Sequence, residues 1–438
     1  MSLARWALLA MCAVVFGTAS AADPGPRYEL GPQQGLSLRS YLDPSCALPE
    51  QLPSAIEFGF DSYVIDRSTI LCRGSRYSKP FVIRASNVTL DCAGADIHGP
   101  VATGSNGDGD DGTSLHGIRI QQSRGVQEGV TIVNCLVRNW ERGIWAASNQ
   151  GDGVTLISNI TIRDSHVYDN SGTGIYLRRV QNSTIENARV ERNGLNFYLD
   201  YDSHDNRIAH STFSFSVRRE GIAIDSAYDN DLHNNRIESN RTHGVTLYHN
   251  CGEQGDEASS FVRQNHASGN SIRRSIIRNH GWISSSEAPH GDMGITRAAG
   301  VAIGLRQAKT LSKHVPCKDT STNIPNTNRY RDFAEGNSVR DNLIYNNFFG
   351  VMVADDDNAV YHNDFAFSQG NDGADILYGS EFLESNATRL RGLSVYQNLF
   401  SATKSSGAYT KVATPQSINE ISGFDRNGFR AIKELFEQ

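Results

Sequence analysis

The chain has 438 residues, 41 Lys and Arg against 48 Asp and Glu, and a formal net charge of −7. That balance offers no basic stripe to displace counterions from phosphates, so it argues against a nucleic-acid partner. It leaves room for an anionic glycan, because a few local arginines suffice for one.

Met1 to Ala22 reads as a signal peptide. Arg5 provides the positive start, Trp6 to Phe16 form an apolar run too short to span a bilayer, and Ala19-Ser-Ala21 fits a small-residue cleavage site. No later stretch is long and apolar enough for a membrane span. The expectation is a soluble monomer, periplasmic or secreted. Residues 23–65 are read as an N-terminal segment and cap. Beyond Cys12 six cysteines follow, at 46, 72, 92, 135, 251 and 317. An even number in an exported chain permits disulfides. Cys251 and Cys317 fall in two irregular insertions and are the expected bridge. Cys92 and Cys135 lie in strand-like runs and read as buried free thiols.

From Gly117 onward a unit recurs. A glycine opens a short alternating strand, as in Gly117-Ile-Arg-Ile, Gly143-Ile-Trp-Ala, Gly174-Ile-Tyr-Leu, Gly221-Ile-Ala-Ile, Gly244-Val-Thr-Leu, Gly300-Val-Ala-Ile and Gly350-Val-Met-Val. Asn196-Phe-Tyr-Leu takes the same slot without the glycine. A second strand follows, as in Asn206-Arg-Ile, Asn230-Asp-Leu, Asn270-Ser-Ile and Asn337-Ser-Val, and units tend to close near an asparagine such as Asn170, Asn193 or Asn240. A period of roughly 22–31 residues marks a solenoid, and period-two alternation makes its pieces strands. Glycine and asparagine suit left-handed corners, and asparagines at equivalent corners can form side-chain ladders. The fold class is therefore all-β: a right-handed parallel β-helix over 66–400, with polar loop insertions. Residues 401–438 form a C-terminal segment in which Asp425 to Gln438 reads as a short helix. Insertions at Asn250–Gly269, Ile283–Ala299 and Ala308–Glu335 break the period and can wall a groove. Thr103–Thr113, with Gly107-Asp-Gly-Asp-Asp-Gly, is a further polar loop whose acids can bind Ca²⁺ or remain solvated. No cofactor is otherwise required.

If the second and fourth residues of each Gly-Ile-x-Leu-x unit face inward, the third and fifth face outward. The third column then runs Arg119, Trp145, Tyr176, Tyr198, Ala223, Thr246, Ala302, Met352. The fifth runs Gln121, Ala147, Arg178, Asp200, Asp225, Tyr248, Gly304, Ala354. The middle coils, about 4.8 Å apart, thus gather aromatic, basic and acidic groups suited to a sugar chain. The candidate catalytic residues are His204, Asp225, Asp202, Tyr198 and Asp200. The candidate substrate-binding residues are Arg178, Tyr176, Tyr248, His249 and Trp145. No metal ligands are assigned. Between Leu199 and Ile208 there is one more residue than between Leu177 and Ile185, which suggests a bulged corner at Asp202-Ser-His204.

Val88-Thr-Leu-Asp-Cys-Ala-Gly-Ala-Asp-Ile resembles the opening coil of many bacterial parallel β-helix proteins, and the later units resemble their repeats, from about Asp66 to Leu399. The Asp202-Ser-His204-Asp205 run is similar to the Asp-Pro-His-acid motif of the alginate C5-epimerases. There an acidic residue at the fifth position of the next coil, here Asp225, also belongs to the site. Serine replaces proline, and the motif falls later along its coil than in that family, whose third and fifth positions hold Tyr198 and Asp200 here. The resemblance implies a polysaccharide lyase or C5-epimerase that removes the C5 proton of a uronate. A glycoside hydrolase with paired aspartates and a non-catalytic glycan-binding solenoid are the alternatives.

Overall fold

The computed structural model describes residues 45–100, 115–120, 127–148, 156–249, 266–281, 298–304, 334–366, 374–378, 392–401, 410–412 and 428–430. The signal segment, the Gly107 loop, Cys251 and Cys317 with their expected bridge, and most of the three insertions lie outside them.

From Ser45 on, the chain winds as a right-handed parallel β-helix. Each coil contributes one strand to each of three long sheets, of 13, 11 and 12 strands among the described residues. The first sheet carries the glycine-opened strands, for example Thr173–Arg178, Leu195–Asp200, Ile222–Asp225 and Val245–Tyr248. These pair in parallel and in register, Tyr176 beside Tyr198 and Tyr198 beside Ala223. Among the described residues only the first pair is antiparallel, where Ser54–Glu57 folds back on Phe60–Ile65. Paired strands extend to both sides of the 66–400 span. In particular Gly428–Arg430, expected within a helix, is a strand that continues the third sheet beyond Leu399–Ser401. The edge of that sheet offers Gly428–Arg430 a ready set of backbone partners, which outweighs its local preference.

The inward residues form one continuous core. Ile175, Leu177, Ile222 and Ile224 are fully buried in it, stacked on Phe197 and Leu199 of the coil between. Three ladders line the corners of this core. Before the second sheet, Asn206, Asn230, Asn270 and Asn337 each pass an amide hydrogen to the next coil's side-chain oxygen, in a ladder that ends on Asn358. Each of these Nδ2 groups also donates to a backbone carbonyl, as Asn230 does to Ser203. Buried amides are thereby satisfied without water. Successive rungs are 24 residues apart at Asn206–Asn230 but 40 and 67 apart at the next two steps. The excess leaves the ladder intact because it is spliced in elsewhere, next to the first-sheet strands ending at Tyr248 and Ile303.

Only some corner asparagines are left-handed as expected. Asn170, Asn193 and Asn240, which close units, are not and serve as ladder rungs instead, and the glycines differ too. Asn139, Asn182 and Asn279 have φ of 60°, 50° and 61°. The unit-opening glycines are not left-handed; they are needed for space. A Cβ on Gly174 would lie 2.6 Å from Asn193 Nδ2 and 2.7 Å from the Asn196 carbonyl. The strand bends inward at the glycine, and the residue before it turns outward.

Among the described residues there are two disulfides, Cys46–Cys72 and Cys92–Cys135. The reading of Cys92 and Cys135 as free thiols is therefore corrected. Their coils are adjacent, since Cys92 N–H donates to the Val133 carbonyl at 2.9 Å. Consecutive-coil contact brings the two Cα atoms to 4.8 Å despite a separation of 43 residues.

Candidate active site

Alternation along the first sheet sends Trp145, Tyr176 and Tyr198 away from the core, where they pack as a cluster of their own. Tyr198, Ala223, Tyr248 and Leu195 form another. The third and fifth columns thus face outward as the sequence pattern requires. Facing outward does not leave them exposed. Trp145, Tyr176, Arg178, Asp200, Asp225, Tyr248 and His249 are all buried. In the third and fifth columns, among the described residues, Tyr198 alone is half-buried.

The polar groups repeat a single arrangement on consecutive coils. The Tyr176 hydroxyl donates to Asp200 Oδ2 on the next coil. The Tyr198 hydroxyl donates to Asp225 Oδ2 on the coil after that, at 2.8 Å. A third-column tyrosine therefore reaches diagonally to a fifth-column aspartate, a contact that the 4.8 Å coil spacing allows. Arg178 Nε stands 3.7 Å from Asp200 Oδ2, and Tyr201 N–H donates to Asp200 Oδ1 at 2.7 Å. Asp225 also accepts from the Ser226 hydroxyl at 3.0 Å. The Tyr248 hydroxyl lies 3.5 Å from that of Tyr198. The hydroxyl of Tyr198 is thus set between a carboxylate and a second phenol.

Asp202 and His204 are carried round the corner from this group. The extra residue of this coil falls between Asp200 and His204, since Arg178 pairs with Asp200 whereas Gln181 pairs with His204. Asp202 and Asp205 are left-handed, with φ of 58° and 53°. His204 stacks on Tyr228 at 4.7 Å and its Nδ1 lies 2.8 Å from Asp205. Asp202 Oδ1 accepts from the Tyr228 hydroxyl at 3.4 Å, and Asp202 also faces Arg179 at 3.8 Å. Burial, then the Asp202 charge, pushes the Tyr228 phenol up to about 12. The five residues expected to be catalytic are therefore divided between the first-sheet face and this corner. His249 turns the corner after Tyr248, with its ring edge-on to His266 at 5.8 Å.

A third column went unread in the sequence. Because the strand bends at each glycine, the residue before it also faces outward: His116, Arg142, Thr173, Leu195, Glu220, His243, Ala299 and Phe349. The contacts agree, with His116 on Trp145, Arg142 over Tyr176 and Phe349 clustered with Met352. Strict period-two reading assigns these residues to the core, and the glycine beside each was the available signal. His243 Nδ1 accepts from Ala299 N–H at 2.8 Å, which leaves the proton to Nε2. Burial holds its pKa down to about 4, against the opposing pull of Glu220. Among the described residues no group of His, Cys, Asp and Glu could hold a metal ion.

Residues 111–288 match the family described as right handed beta helix region. No curated protein matches the sequence. Among solved structures, the chain is similar to the periplasmic alginate epimerase AlgG, at 10% identity and a TM-score of 0.50, over 87% of this chain and 81% of that one. It is also similar to an alginate lyase from Paenibacillus sp. str. FPU-7, at 12% identity and a TM-score of 0.41, over 73% and 91% of the respective chains. For a DFA-IIIase from Arthrobacter chlorophenolicus A6 the figures are 12%, 0.44, 84% and 85%. At 10% identity the likeness to AlgG shows the fold alone.

Proposed function

We propose that this protein is an exported carbohydrate-active enzyme. It removes the C5 proton of a uronate in an acidic polysaccharide, as a lyase or C5-epimerase. The observation that carries the reading is Tyr198, the one half-buried side chain of the third and fifth columns among the described residues, with its hydroxyl between Asp225 and Tyr248. A C5 proton becomes removable once the sugar carboxylate is neutralised, which Arg178 can do by a charge-assisted hydrogen bond. Tyr198 passes its hydroxyl proton to Asp225 Oδ2 as it takes the C5 proton, and so acts as general base. Return of a proton to the other face of the carbanion gives the epimer. Expulsion of the 4-O substituent instead gives an unsaturated end. The two disulfides fit an oxidising compartment, periplasmic or extracellular. Among the described residues no helix is long and apolar enough to cross a membrane.

A second reading has its own support. Asp200 and Asp225 occupy the same column of adjacent coils, about 4.8 Å apart, close to the roughly 5–5.5 Å between the carboxylates of retaining glycosidases. A screen on acidic polysaccharides in D₂O separates the two. Deuterium entering at C5, or an ultraviolet-absorbing unsaturated end, is expected. New reducing ends with neither signature would give the hydrolase reading instead. Tyr198→Phe is expected to lower the rate by about 10²–10⁴-fold with the fold kept. Full activity in that variant would remove Tyr198 from the chemistry.

A further inference from the structure

Two coils before Tyr198, the same face carries polar atoms that the proposed chemistry does not use. Trp145 pairs in register with Tyr176, and Tyr176 with Tyr198. Trp145 therefore sits about 10 Å along the axis, at ~4.8 Å per coil. That is the reach of a short oligosaccharide and more than a single ring spans. Trp145 and His116 are 4% and 5% exposed. The Nε1 of Trp145 and the Nε2 of His116 have no hydrogen-bond partner among the described residues. Their rings lie 4.9 Å apart on adjacent coils. An indole N–H can only donate, so its missing partner is an acceptor.

The surroundings specify what kind of acceptor. The Arg119 guanidinium is held between the Phe58 and Trp145 rings, 3.2 and 4.3 Å from their centroids. That of Arg142 lies over Tyr176 at 5.0 Å. Both arginines are buried. Burial, with the charges of Arg142 and Arg119 beside it, holds His116 neutral. The aromatic clamps fix the orientation of both guanidiniums, and buried cations favour a carboxylate over a neutral hydroxyl.

We propose that His116, Arg119, Arg142 and Trp145 form a recognition subsite for the carboxylate of a uronate residue remote from the reacting one. This rests on reading the first-sheet face as a glycan site. It extends that reading from one sugar to an oligouronate lying along the solenoid axis.

The test uses the full-length protein and measures binding without turnover. The probes are the dimers and hexamers of mannuronate and of galacturonate, with cellohexaose as a neutral control, read by calorimetry. One uronate hexamer is expected to bind and cellohexaose is not. Trp145→Phe keeps an aromatic ring and removes the N–H, and Arg142→Gln removes a charge. Each is expected to weaken hexamer binding about tenfold or more, a 1.4 kcal/mol loss, and to leave dimer binding unchanged. Thermal unfolding of each variant checks that the fold is kept, and His116→Gln provides a third variant should one fail. Hexamer affinities equal to wild type in the folded variants would overturn the subsite, as would binding of no uronate hexamer by the wild type. Tyr198→Phe keeps the subsite and is expected to bind the hexamer normally. Loss of hexamer affinity in Trp145→Phe alongside full turnover in Tyr198→Phe would keep the subsite and reject the catalytic assignment.

Discussion

Asn196 stands where the other units have their opening glycine, and the structure gives the reason. The third ladder, before the first sheet, passes from Asn170 to Asn193, but the next coil offers the short Ser216 in that slot. The Asn196 side chain points inward to fill it. Its Oδ1 accepts from the Asn193 amide at 3.1 Å, and its Nδ2 donates to Asn240 at 3.0 Å. Asn196→Gly would restore the repeat and strand these buried groups, an expected loss of about 1–3 kcal/mol, measured by denaturant unfolding. An unchanged midpoint would show that the rung contributes nothing. The same ladder contains His280, whose Nδ1 accepts from Asn240 N–H at 3.2 Å. Burial, with His243 adding to it, lowers the His280 pKa to about 3. Above its ordinary value of 6.5 the ring is neutral in both folded and unfolded chains. Between there and about 3 only the unfolded chain takes up the proton. Stability therefore falls as pH falls through that window, by roughly 1.4 kcal/mol per pH unit for this ring. His280→Asn should restore an amide rung and flatten the decline of Tm between pH 6.5 and 4. Parallel curves for the two proteins would contradict the assignment.

At the scale of the strand, each glycine decides how three columns are presented. It allows the chain to bend inward against the corner ladder, so the preceding residue joins the outward face. Gly→Ala at a right-handed position usually stabilises by about 0.4–1 kcal/mol through the unfolded state. At Gly174 the added Cβ would meet a backbone carbonyl at 2.7 Å and Val190 Cγ1 at 2.8 Å, and neither can swing aside. Gly174→Ala is expected instead to destabilise by about 1–3 kcal/mol. Because the first-sheet strands would shift with it, activity on the eventual substrate should fall in step. A stabilised variant would show that the bend tolerates a side chain.

Across the whole molecule, each coil touches only its neighbours, so the ends are where unravelling starts. Both disulfides tie coils near the N-terminal end, Cys46–Cys72 and Cys92–Cys135. Reduction should lower stability by about 2–4 kcal/mol per bridge and act locally. Amide exchange should quicken in residues 45–138 while the Asn206–Asn270 ladder keeps its protection. Uniform quickening along the chain would mean that the solenoid unfolds as one unit. Several segments outside the described residues join the ends of first-sheet strands, after Ile120, Tyr248 and Ile303 and before His116 and Ala299. From Thr131 on, the connections from second-sheet to third-sheet strands keep their length among the described residues, so variation in length falls in the connections that begin or end at first-sheet strands.

The repeat was legible in the sequence because a solenoid writes its architecture locally. Alternation in Gly174-Ile-Tyr-Leu sets which side chains enter the core, and Asn230-Asp-Leu marks its own corner, whatever the distant chain does. Those patterns determined the fold, the register of Tyr176, Tyr198 and Asp225, and the ladders. Contacts between coils were not local, and only the tertiary structure decided them. Cys92 finds Cys135 because coils stack, and nothing in either flank announces it. His204 parts from Asp225 because its place in the coil, like those of its partners Gln181 and Tyr228, falls past the corner of the first sheet. His116 and Arg142 join the outward face because a glycine bend breaks the two-residue period, a displacement that depends on the ladder behind it.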